Sequence, residues 1–267
     1  MLFCFGFGYV AQHLANIYVG KTSGTNSSGS GNIIFNQSSD FDPGILQDVS
    51  YVLVSIPPTS SGDLVYDKLQ NDLAKLPKLK WLGYLSATSV YGDAEGGLVD
   101  ENFPLVNSGR GLDRIAAEKL WLGSNLPVHI FRLSAIYGKG RSVIDQILSG
   151  TARRIYKENQ IFSRMHVEDI AATLLASINK TNPGSIYNLA DDFPSSQIEV
   201  VEYACSLLNM DPPRMENFAN ADLSPMLKGF YSSSRRIVNT KIKQELGVKL
   251  QFPSYKEGLK NIITAKT

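Results

Sequence analysis

A pair of glycines near the start of the chain is the first feature that could do chemistry. Residues 6–11 read Gly-Phe-Gly-Tyr-Val-Ala and follow the apolar run Met1–Phe5. In this G-x-G-x-x-A pattern, Gly6 would form the tight turn between strand and helix, Gly8 would let the backbone approach a pyrophosphate, and Ala11 would let the two elements pack closely. Glycine pairs also occur in ordinary turns, but a strand before the pattern and a helical stripe after it favour a dinucleotide-binding loop.

The elements that would hold this loop alternate between apolar runs and helical stretches. Val10, Leu14 and Ile17 give the first helix an apolar stripe at i, i+4 and i+7. The run Tyr51–Ile56 is apolar nearly throughout, as expected of a parallel strand covered on both faces. This alternation predicts an α/β fold with a doubly wound parallel sheet. The predicted strands are Met1–Phe5, Asn32–Phe35, Tyr51–Ile56, Trp81–Leu85 and Val128–Leu133, with helices at Leu64–Leu76 and Leu112–Leu122.

The second strand is the least defined element. Thr22–Gly31 contains almost nothing apolar and could be a polar strand end or a loop. The residue after this strand normally meets the adenosine ribose, where an acid would bind the 2′-hydroxyl of NAD. No acid occurs there before Asp40. Asn26, Ser27 and Ser28 could hydrogen-bond a 2′-phosphate, although no arginine accompanies them, so the tract favours NADP over NAD.

After about residue 140 the alternation loosens. Three further stretches look helical, and prolines in Asp211-Pro212-Pro213, Ser224-Pro225 and Phe252-Pro253 mark loops after them. We therefore divide the chain into a dinucleotide-binding core, residues 1–140, and a smaller substrate-facing lobe, residues 141–267, that is partly interleaved with the core. The helical stretches of the lobe are Val143–Leu148, Val167–Ile178 and Ile198–Leu208.

The composition excludes several classes of function. The 267 residues carry 26 basic and 25 acidic side chains, so no charge excess indicates a nucleic acid or membrane surface as a partner. The pair Arg235-Arg236 is typical of solvated surface. No apolar run approaches the roughly 18 residues of a membrane span, and the first strand begins at Met1, so we expect a cytoplasmic protein. Both cysteines are expected to be buried free thiols, and the three histidines share no metal-ligand spacing, so no metal is expected.

Segments spread along the chain carry a resemblance to a known family. They are Gly6–Ala11, Leu85–Asp93, Arg132–Gly138 and Arg164–Ala171. Together and in this order they resemble the extended short-chain dehydrogenases/reductases, the NAD-dependent epimerase/dehydratase family, over nearly the whole chain. Shorter segments are similar to the YeeZ-type atypical members, namely Ser108–Gly111, Phe162–Arg164, Tyr187–Asp192 and Leu223–Met226.

The resemblance implies a Rossmann-type domain, a nicotinamide cofactor and a small C-terminal lobe that closes over a substrate, often a nucleotide sugar. The family's usual chemistry is hydride transfer, in which a Tyr is the general acid/base, a Lys four residues later lowers its pKa, and a Ser or Thr binds the reacting oxygen. Family members often form homodimers through helices that flank the sheet, so the resemblance also implies an interface at Leu64–Leu76 and Leu112–Leu122.

The chain departs from this pattern at all three catalytic positions. Alignment on Val90-Tyr91-Gly92 puts Ala87 at the family's Ser/Thr position, and alignment on Glu118 puts Arg110 at the Tyr position and Arg114 at the Lys position. A guanidinium stays charged near neutrality and cannot act as a general base. Arg114 could instead contact the ribose or phosphate of the cofactor, and Arg110 an anionic group of the substrate, unless both are exposed helix residues.

The candidates for proton transfer are Tyr91, Tyr137 and His166, and Thr88 is a further catalytic candidate. Tyr91 follows the cofactor-facing strand, with Thr88 beside it, although tyrosines in this motif are commonly packing residues. His166 can titrate near pH 7 and lies near Arg164, a predicted substrate-binding residue, although it could instead hold a loop. Asp169 is expected to cap the helix that follows.

The residues expected to bind the cofactor surround the glycine loop and the ends of the following strands. They are Gly6, Gly8, Tyr9, Val10, Ala11, Asn26, Ser27, Ser55, Ile56, Pro57, Ser86 and Arg114. We expect an NAD(P)-binding oxidoreductase or isomerase that acts on a small anionic or sugar-like substrate. The vacant catalytic positions keep open a non-catalytic sensor or scaffold that reads NADP(H), whereas a flavin- or RNA-binding relative would rest on fold analogy alone.

Overall fold

Strands and helices alternate through the first half of the chain and then become shorter. The computed structural model describes residues 1–28 and 33–264, without the side chains of Arg110 and Met226. The strands are β1 (Leu2–Phe5), β2 (Thr22–Asn26), β3 (Ile33–Ile34), β4 (Tyr51–Val54), β5 (Trp81–Ala87), β6 (Leu98–Val99), β7 (Val128–Leu133), β8 (Ala135–Tyr137), β9 (Arg154–Tyr156), β10 (Arg164–His166), β11 (Ile186–Leu189), β12 (Met215–Asn217) and β13 (Arg236–Ile237). The helices are α1 (Tyr9–Ile17), α2 (Leu64–Leu73), α3 (Leu112–Leu122), α4 (Val143–Leu148), α5 (Val167–Asn179), α6 (Gln197–Leu208), α7 (Pro225–Tyr231), α8 (Thr240–Leu246) and α9 (Tyr255–Thr264).

A parallel sheet with the strand order β11-β7-β5-β4-β1-β2-β3 forms the centre of the described chain. One of its faces packs against α1, α5 and α8 around Leu14 and Ile170. The other face packs against α2 and α3 around Leu69 and Trp121. Both faces are therefore covered, which explains why the central strands are apolar on both sides. This is a Rossmann-type doubly wound α/β fold, as the alternation predicted.

The polar tract Thr22–Gly31 begins as a strand. β2 pairs with β1 on one side and with β3 on the other, and Thr25 within it is fully buried. Of the predicted strand Asn32–Phe35, Asn32 lies outside the described residues, and β3 is shorter than predicted. Backbone pairing across the sheet, rather than an apolar side-chain pattern, makes β2 a strand.

Two helices differ from the prediction at their ends. α2 ends at Leu73 instead of Leu76, because Pro77 disfavours helical backbone in the residue before it. Val10 and Leu14 of α1 are buried, but Ile17 is 42% exposed. The apolar stripe of α1 therefore covers the sheet only over its first two turns.

The lobe after residue 140 shares elements with the core. β11 is an edge strand of the central sheet, and α5 belongs to one of its helical layers. The rest of the lobe has its own apolar cluster, in which α4, α6 and α9 meet around Ile144 and Val201. Short parallel ladders join β8 to β10, β9 to β12 and β6 to β13. The β6–β13 ladder brings residues 236–237 of the lobe beside the segment that follows β5.

Candidate functional site

The turn after β1 is built on a glycine. Gly6 has a φ of +88°, which L side chains rarely adopt, and a Cβ atom there would lie 2.6 Å from Ser55 Oγ. The Ser55 hydroxyl donates to the Gly6 carbonyl oxygen (2.5 Å), and the Gly6 N–H donates to Thr25 Oγ1 (3.1 Å). Side chains of β2 and of the segment after β4 therefore hold the loop in the shape that the motif predicts.

Gly8 is the N-cap of α1 and borders open space. Its φ of −92° is an ordinary extended value, and a Cβ atom added to it would have no neighbour within 4 Å. The N–H groups in the first turn of a helix have no partner within the helix and carry partial positive charge. Ala11, in the same turn, is buried in the core. The loop therefore has open space beside Gly8, and Ala11 packs closely in the core. Both features are required for the binding of a dinucleotide.

A cavity of about 1000 Å³ lies at the C-terminal ends of β1, β4, β5 and β7. The segment between α7 and β13 lines it from the lobe. Of the predicted cofactor residues, the cavity is lined by Gly8, Tyr9, Val10, Ser55, Ser86 and Arg114. The others lie behind the loop or beyond the strand ends, outside the described lining: Gly6, Ala11, Asn26, Ser27, Ile56 and Pro57.

The end of β5 forms the wall where the resembled family has its catalytic hydroxyl. Ala87 and Thr88 both line the cavity there, and Thr88 is buried. The hydroxyl of Ser86 donates to Glu118 Oε1 at 2.5 Å. Ser86 therefore directs its hydroxyl into a buried network behind the wall.

Tyr91 lies in the same wall and its hydroxyl belongs to that network. It donates to Asn188 Oδ1 (2.8 Å) and accepts from Arg132 Nη1 (2.8 Å). Arg132 Nη2 lies 2.7 Å from Glu118 Oε2, and both side chains are 3% exposed. Burial raises the pKa of Tyr91. Protein groups therefore already satisfy the hydrogen bonding of the Tyr91 hydroxyl. The Arg132–Glu118 pair was not predicted, because its two residues lie on different elements and no local sequence pattern links them.

The two arginines at the Tyr and Lys positions are placed differently. Arg114 is half-buried, lines the cavity, and donates from Nη1 to the carbonyl oxygen of Leu85 at 3.0 Å. The backbone of Arg110 lies in a short 3₁₀ turn, Gly109–Gly111, but its side chain lies outside the described part of the structure. The predicted role of Arg114 beside the cofactor therefore has a geometric basis, and that of Arg110 stays a prediction.

His166, and not Asp169, caps α5. The Nδ1 atom of His166 accepts from the Glu168 N–H (3.3 Å), and its ring centroid lies 4.1 Å from that of Phe252. Burial lowers the pKa of His166 to about 4. Asp169 lies inside the helix, where its carboxylate accepts from the N–H groups of Gln251 (2.7 Å) and Phe252 (2.9 Å). The prediction of an Asp169 cap is wrong because α5 begins before that residue.

Arg164 is buried in the lobe. Its guanidinium donates to the hydroxyl and the carbonyl oxygen of Ser195 and lies 5.7 Å from the ring centroid of Tyr255. Burial lowers the pKa of Arg164. Neither Arg164 nor His166 is among the described residues that line the cavity. Arg164 therefore lies apart from the cavity, whereas the unpartnered Nε2 of His166 lies near the Tyr9 hydroxyl, since a Cβ atom on Gly138 would be 3.6 Å from the former and 2.5 Å from the latter.

Arg235 is a cavity residue that the sequence analysis missed. The interpretation of the pair Arg235-Arg236 as solvated surface is wrong for its first member. Arg235 Nη1 donates to the carbonyl oxygens of Tyr91 (3.3 Å) and Gly92 (3.1 Å) and to Ser233 Oγ (2.8 Å). Burial lowers the pKa of Arg235, and it lines the cavity from the lobe. The β6–β13 ladder and the hydrogen bonds of Ser234 with Asp93, Ala94 and Gly96 bring it there, and the sequence carries no local signal for that pairing.

Arg141 is a second missed cavity residue. It lies on the loop between β8 and α4, with its guanidinium carbon 5.8 Å from the ring centroid of Tyr9. The Tyr9 hydroxyl donates to the Lys139 carbonyl oxygen at 3.0 Å, so the same loop is tied to the start of α1. Burial raises the pKa of Tyr9 to about 12.

The described residues contain neither a metal site nor a membrane-spanning helix. Residues 1–28 and 33–264 contain no group of three or more His, Cys, Asp or Glu side chains that could hold a metal ion. No helix among them is long and apolar enough to cross a membrane. Cys4 and Cys205 are both buried and free, as predicted.

The sheet order, the glycine turn and the cavity at the strand ends define a Rossmann-type α/β protein. MoeE5 in complex with UDP-glucose and NAD is a structural neighbour, with a TM-score of 0.78 and 19% identity over 99% of this chain and 98% of that one. The human epimerase family protein SDR39U1 with NADPH is another, with a TM-score of 0.77 and 14% identity over 99% of both chains. The neighbours are epimerase/dehydratase-type short-chain dehydrogenases/reductases, and the chain shares their fold.

A nearer relative is a conserved protein of unknown function from Silicibacter pomeroyi DSS. It has a TM-score of 0.91 and 38% identity, over 99% of this chain and 98% of that one. The chain belongs to the same family as this protein. The predicted epimerase/dehydratase resemblance is thus confirmed at the level of fold, and the narrower YeeZ-type resemblance stays a prediction. No protein-family model matches the sequence, and a search of curated proteins also found no match.

Proposed function

We propose that the chain binds a nicotinamide dinucleotide in the cavity, prefers NADP(H), and acts with it as an oxidoreductase or isomerase on a small anionic substrate. The observation that carries the proposal is the open space at Gly8, where a helix N-terminus borders a cavity of about 1000 Å³. That volume is at the upper end of ordinary small-molecule sites, as an extended dinucleotide requires. The NAD and NADPH of the structural neighbours support a nicotinamide dinucleotide but not a preference for either one.

The residues present fit such a cofactor. The loop at residues 6–11 would receive the pyrophosphate, and Arg114 would contact the ribose or phosphate from the end of β5. Bound there, the cofactor would supply or accept a hydride. The preference for NADP(H) rests on the end of β2, where Asn26 stands in place of an acid and accepts from the Ser28 N–H (3.2 Å).

The charge of the cavity supports an anionic substrate. Three guanidinium groups line it, those of Arg114, Arg141 and Arg235. Asp93 is the one carboxylate in the described lining, and it accepts backbone N–H groups, including that of Ser234 at 2.7 Å. These hydrogen bonds lower the pKa of Asp93. The described lining therefore carries net positive charge. Arg235, which the lobe supplies, is not assigned to the cofactor phosphates and would meet an anionic substrate.

The lining is poor in groups that transfer protons near neutrality. Burial raises the pKa of both Tyr9 and Tyr91, and no histidine or lysine lines the described cavity. The chain would therefore bind and orient the reactants, while water or the substrate accepts and supplies the proton.

The shortage of proton-transferring groups also favours a second candidate, a non-catalytic sensor that binds NADP(H) and reports it to a partner.

Binding measurements test the shared part of both candidates. The protein is titrated with NADPH and NADH while nicotinamide fluorescence is followed. A Cβ atom at Gly8 would have no neighbour within 4 Å, but valine is a poorer N-cap residue than glycine, so Gly8→Val should lower the melting temperature slightly and raise Kd about tenfold or more, a loss of about 1.4 kcal/mol or more. Gly123→Ala, at the end of α3 outside the cavity lining, is the matched control and should leave Kd unchanged.

Two outcomes would count against the proposal. If the wild-type protein binds neither dinucleotide at millimolar concentration, the cofactor assignment fails. If it binds one of them but no carbonyl or alcohol substrate in a screen is turned over, the sensor is favoured. Turnover that is abolished by substitution of Tyr91 or His166 would exclude the sensor and would contradict the inference that neither side chain transfers the proton.

A further inference from the structure

Two buried serines line the cavity with hydroxyl hydrogens that have no acceptor among the described residues. Ser134 joins β7 to β8, Ser163 immediately precedes β10, and each is 8% exposed. Ser134 Oγ has no hydrogen-bond partner in the described chain. Ser163 Oγ accepts from the Ile237 N–H at 2.9 Å, which leaves its own hydrogen to be donated. Buried hydroxyls without partners are rare in folded proteins and indicate a missing ligand or water.

The two serines stand side by side. β8 and β10 are parallel, with Ala135 opposite Arg164, and the Ala135 N–H donates to the Ser163 carbonyl oxygen at 3.2 Å. Ser134 and Ser163 are therefore at matching positions one residue earlier. Residues in register on adjacent parallel strands are about 4.8 Å apart and direct their side chains to the same face. Both side chains thus border the same part of the cavity.

That part of the cavity adjoins the position where the catalytic hydroxyl of the resembled family is missing. Ala87 of β5 pairs with Leu133 of β7, the residue directly before Ser134. The adenosine half of a dinucleotide extends toward β2, so its nicotinamide half extends toward β5 and β7. The two serines therefore lie at the end of the cavity where a hydride would be transferred.

We propose that Ser134 and Ser163 together bind a carbonyl-type oxygen at the nicotinamide end of the cavity, and so supply the oxygen-binding hydroxyls that Ala87 lacks. The proposal rests on the proposed function, because the oxygen belongs either to the carboxamide of the cofactor or to the substrate. Neither serine is charged, so the pair suits a neutral oxygen. Two O–H donors at one oxygen also stabilise negative charge that develops there during hydride transfer. Rotation about χ1, between staggered positions, brings the Ser134 hydroxyl to the ligand.

Ser134→Ala is the principal variant, because it removes no hydrogen bond of the unliganded protein. We expect its melting temperature to equal or exceed that of the wild type. Ser177→Ala is the matched control. Ser177 is buried outside the cavity lining and its Oγ accepts from Trp81 Nε1 at 3.0 Å, so this variant should melt earlier and bind normally. Ser163→Ala also leaves the Ile237 N–H without an acceptor, so it should both melt earlier and bind more weakly.

Two measurements distinguish the source of the oxygen. The first compares Kd for NADPH with Kd for ADP-ribose 2′-phosphate, which lacks the nicotinamide. The second follows the binding of trifluoroacetamide to the NADPH-saturated protein by fluorine NMR. A loss of about 3- to 10-fold in Ser134→Ala is expected in one of them, as for one neutral hydrogen bond. A loss for NADPH alone assigns the carboxamide, and a loss for trifluoroacetamide alone assigns the substrate oxygen.

The proposal is overturned if Ser134→Ala binds NADPH and trifluoroacetamide as the wild type does. It is also overturned if the variant loses affinity equally for NADPH and for ADP-ribose 2′-phosphate, because the contact would then not be at the nicotinamide end. Failure of the proposed function looks different, since the wild-type protein itself would then bind no dinucleotide.

Discussion

Replacement of Glu118 by Gln should destabilise the protein far more than the loss of a surface ion pair. Glu118 accepts from Arg132 Nη2 (2.7 Å) and Nε (3.1 Å) and from the Ser86 hydroxyl (2.5 Å), and both charged side chains are 3% exposed. Glu118→Gln keeps the size of the side chain but leaves the buried guanidinium without its counter-charge. Removing one partner of such a pair costs about 3–5 kcal/mol. At about 2–4 °C per kcal/mol for a chain of this size, the melting temperature should fall by roughly 6–20 °C.

Urea unfolding of single and double variants measures this effect. Arg132→Met should cost a similar amount, because it leaves the Glu118 carboxylate buried and unpaired. The double variant Glu118→Gln/Arg132→Met should be more stable than the sum of the two single losses predicts, since no charge then remains buried. Asp48→Asn is the control. The Asp48–Lys78 pair has a shorter contact, 2.6 Å, but its side chains are 79% and 58% exposed, so its loss should cost far less than Glu118→Gln.

Two results would contradict the role given to the Arg132–Glu118 pair. If Glu118→Gln costs no more than Asp48→Asn, the Arg132 guanidinium is not held by its buried partner. If the single losses simply add in the double variant, the two charges do not compensate each other. In either case the network would not be what holds Tyr91 in the wall of the cavity.

Three further predictions concern the loop, the lobe and the substrate. Gly6→Ala should lower the free energy of unfolding in urea by about 1–3 kcal/mol, because it strains a residue with a φ of +88° and places Cβ 2.6 Å from the Ser55 hydroxyl. A change near zero would contradict the turn geometry. His166 binds a proton near pH 6.5 when unfolded but only at about pH 4 when folded, so it destabilises the folded state progressively as pH falls from about 6.5 to 4. The stability of the wild type relative to His166→Gln should therefore decline over that range, and a constant difference would exclude the shift. Arg235→Met should weaken calorimetric binding of succinate or phosphate to the cofactor-loaded protein about tenfold; equal affinity would remove Arg235 from the anion site.

The glycine loop could be predicted from the sequence because its constraints are local. Gly6 needs a positive φ at a tight turn, and Ala11 needs to be small within the same helical turn. β2 could not be predicted in the same way. Its residues are polar, and only its ladders with β1 and β3 make it a strand. A pattern-based prediction depends on an apolar face that such a strand does not have.

The polar side chains were harder to place than the elements that carry them. Arg164 and His166 were predicted to lie in a segment that approaches the substrate, but the pattern of a three-residue strand does not determine whether such side chains line a cavity or bind within the lobe. Both are buried there, and the Arg164 guanidinium is already paired with Ser195 of the lobe. His166 uses Nδ1 to cap α5, whereas its buried Nε2 has no hydrogen-bond partner among the described residues.

Arg235 shows the opposite case and explains the character of the cavity. Its hydrogen bonds to the carbonyl oxygens of Tyr91 and Gly92 span more than half of the chain, and the short β6–β13 ladder is what aligns the two segments. On the other side of the same wall, Arg132 holds the Tyr91 hydroxyl. Two cations thus fix a segment that, in the resembled family, leads away from the catalytic hydroxyl. That wall is held by charge, and the pKa values of its titratable side chains are shifted away from neutrality, upward for Tyr91 by burial and downward for Asp93 by backbone hydrogen bonds. Its geometry therefore suits the binding and orientation of an anion more than the transfer of a proton.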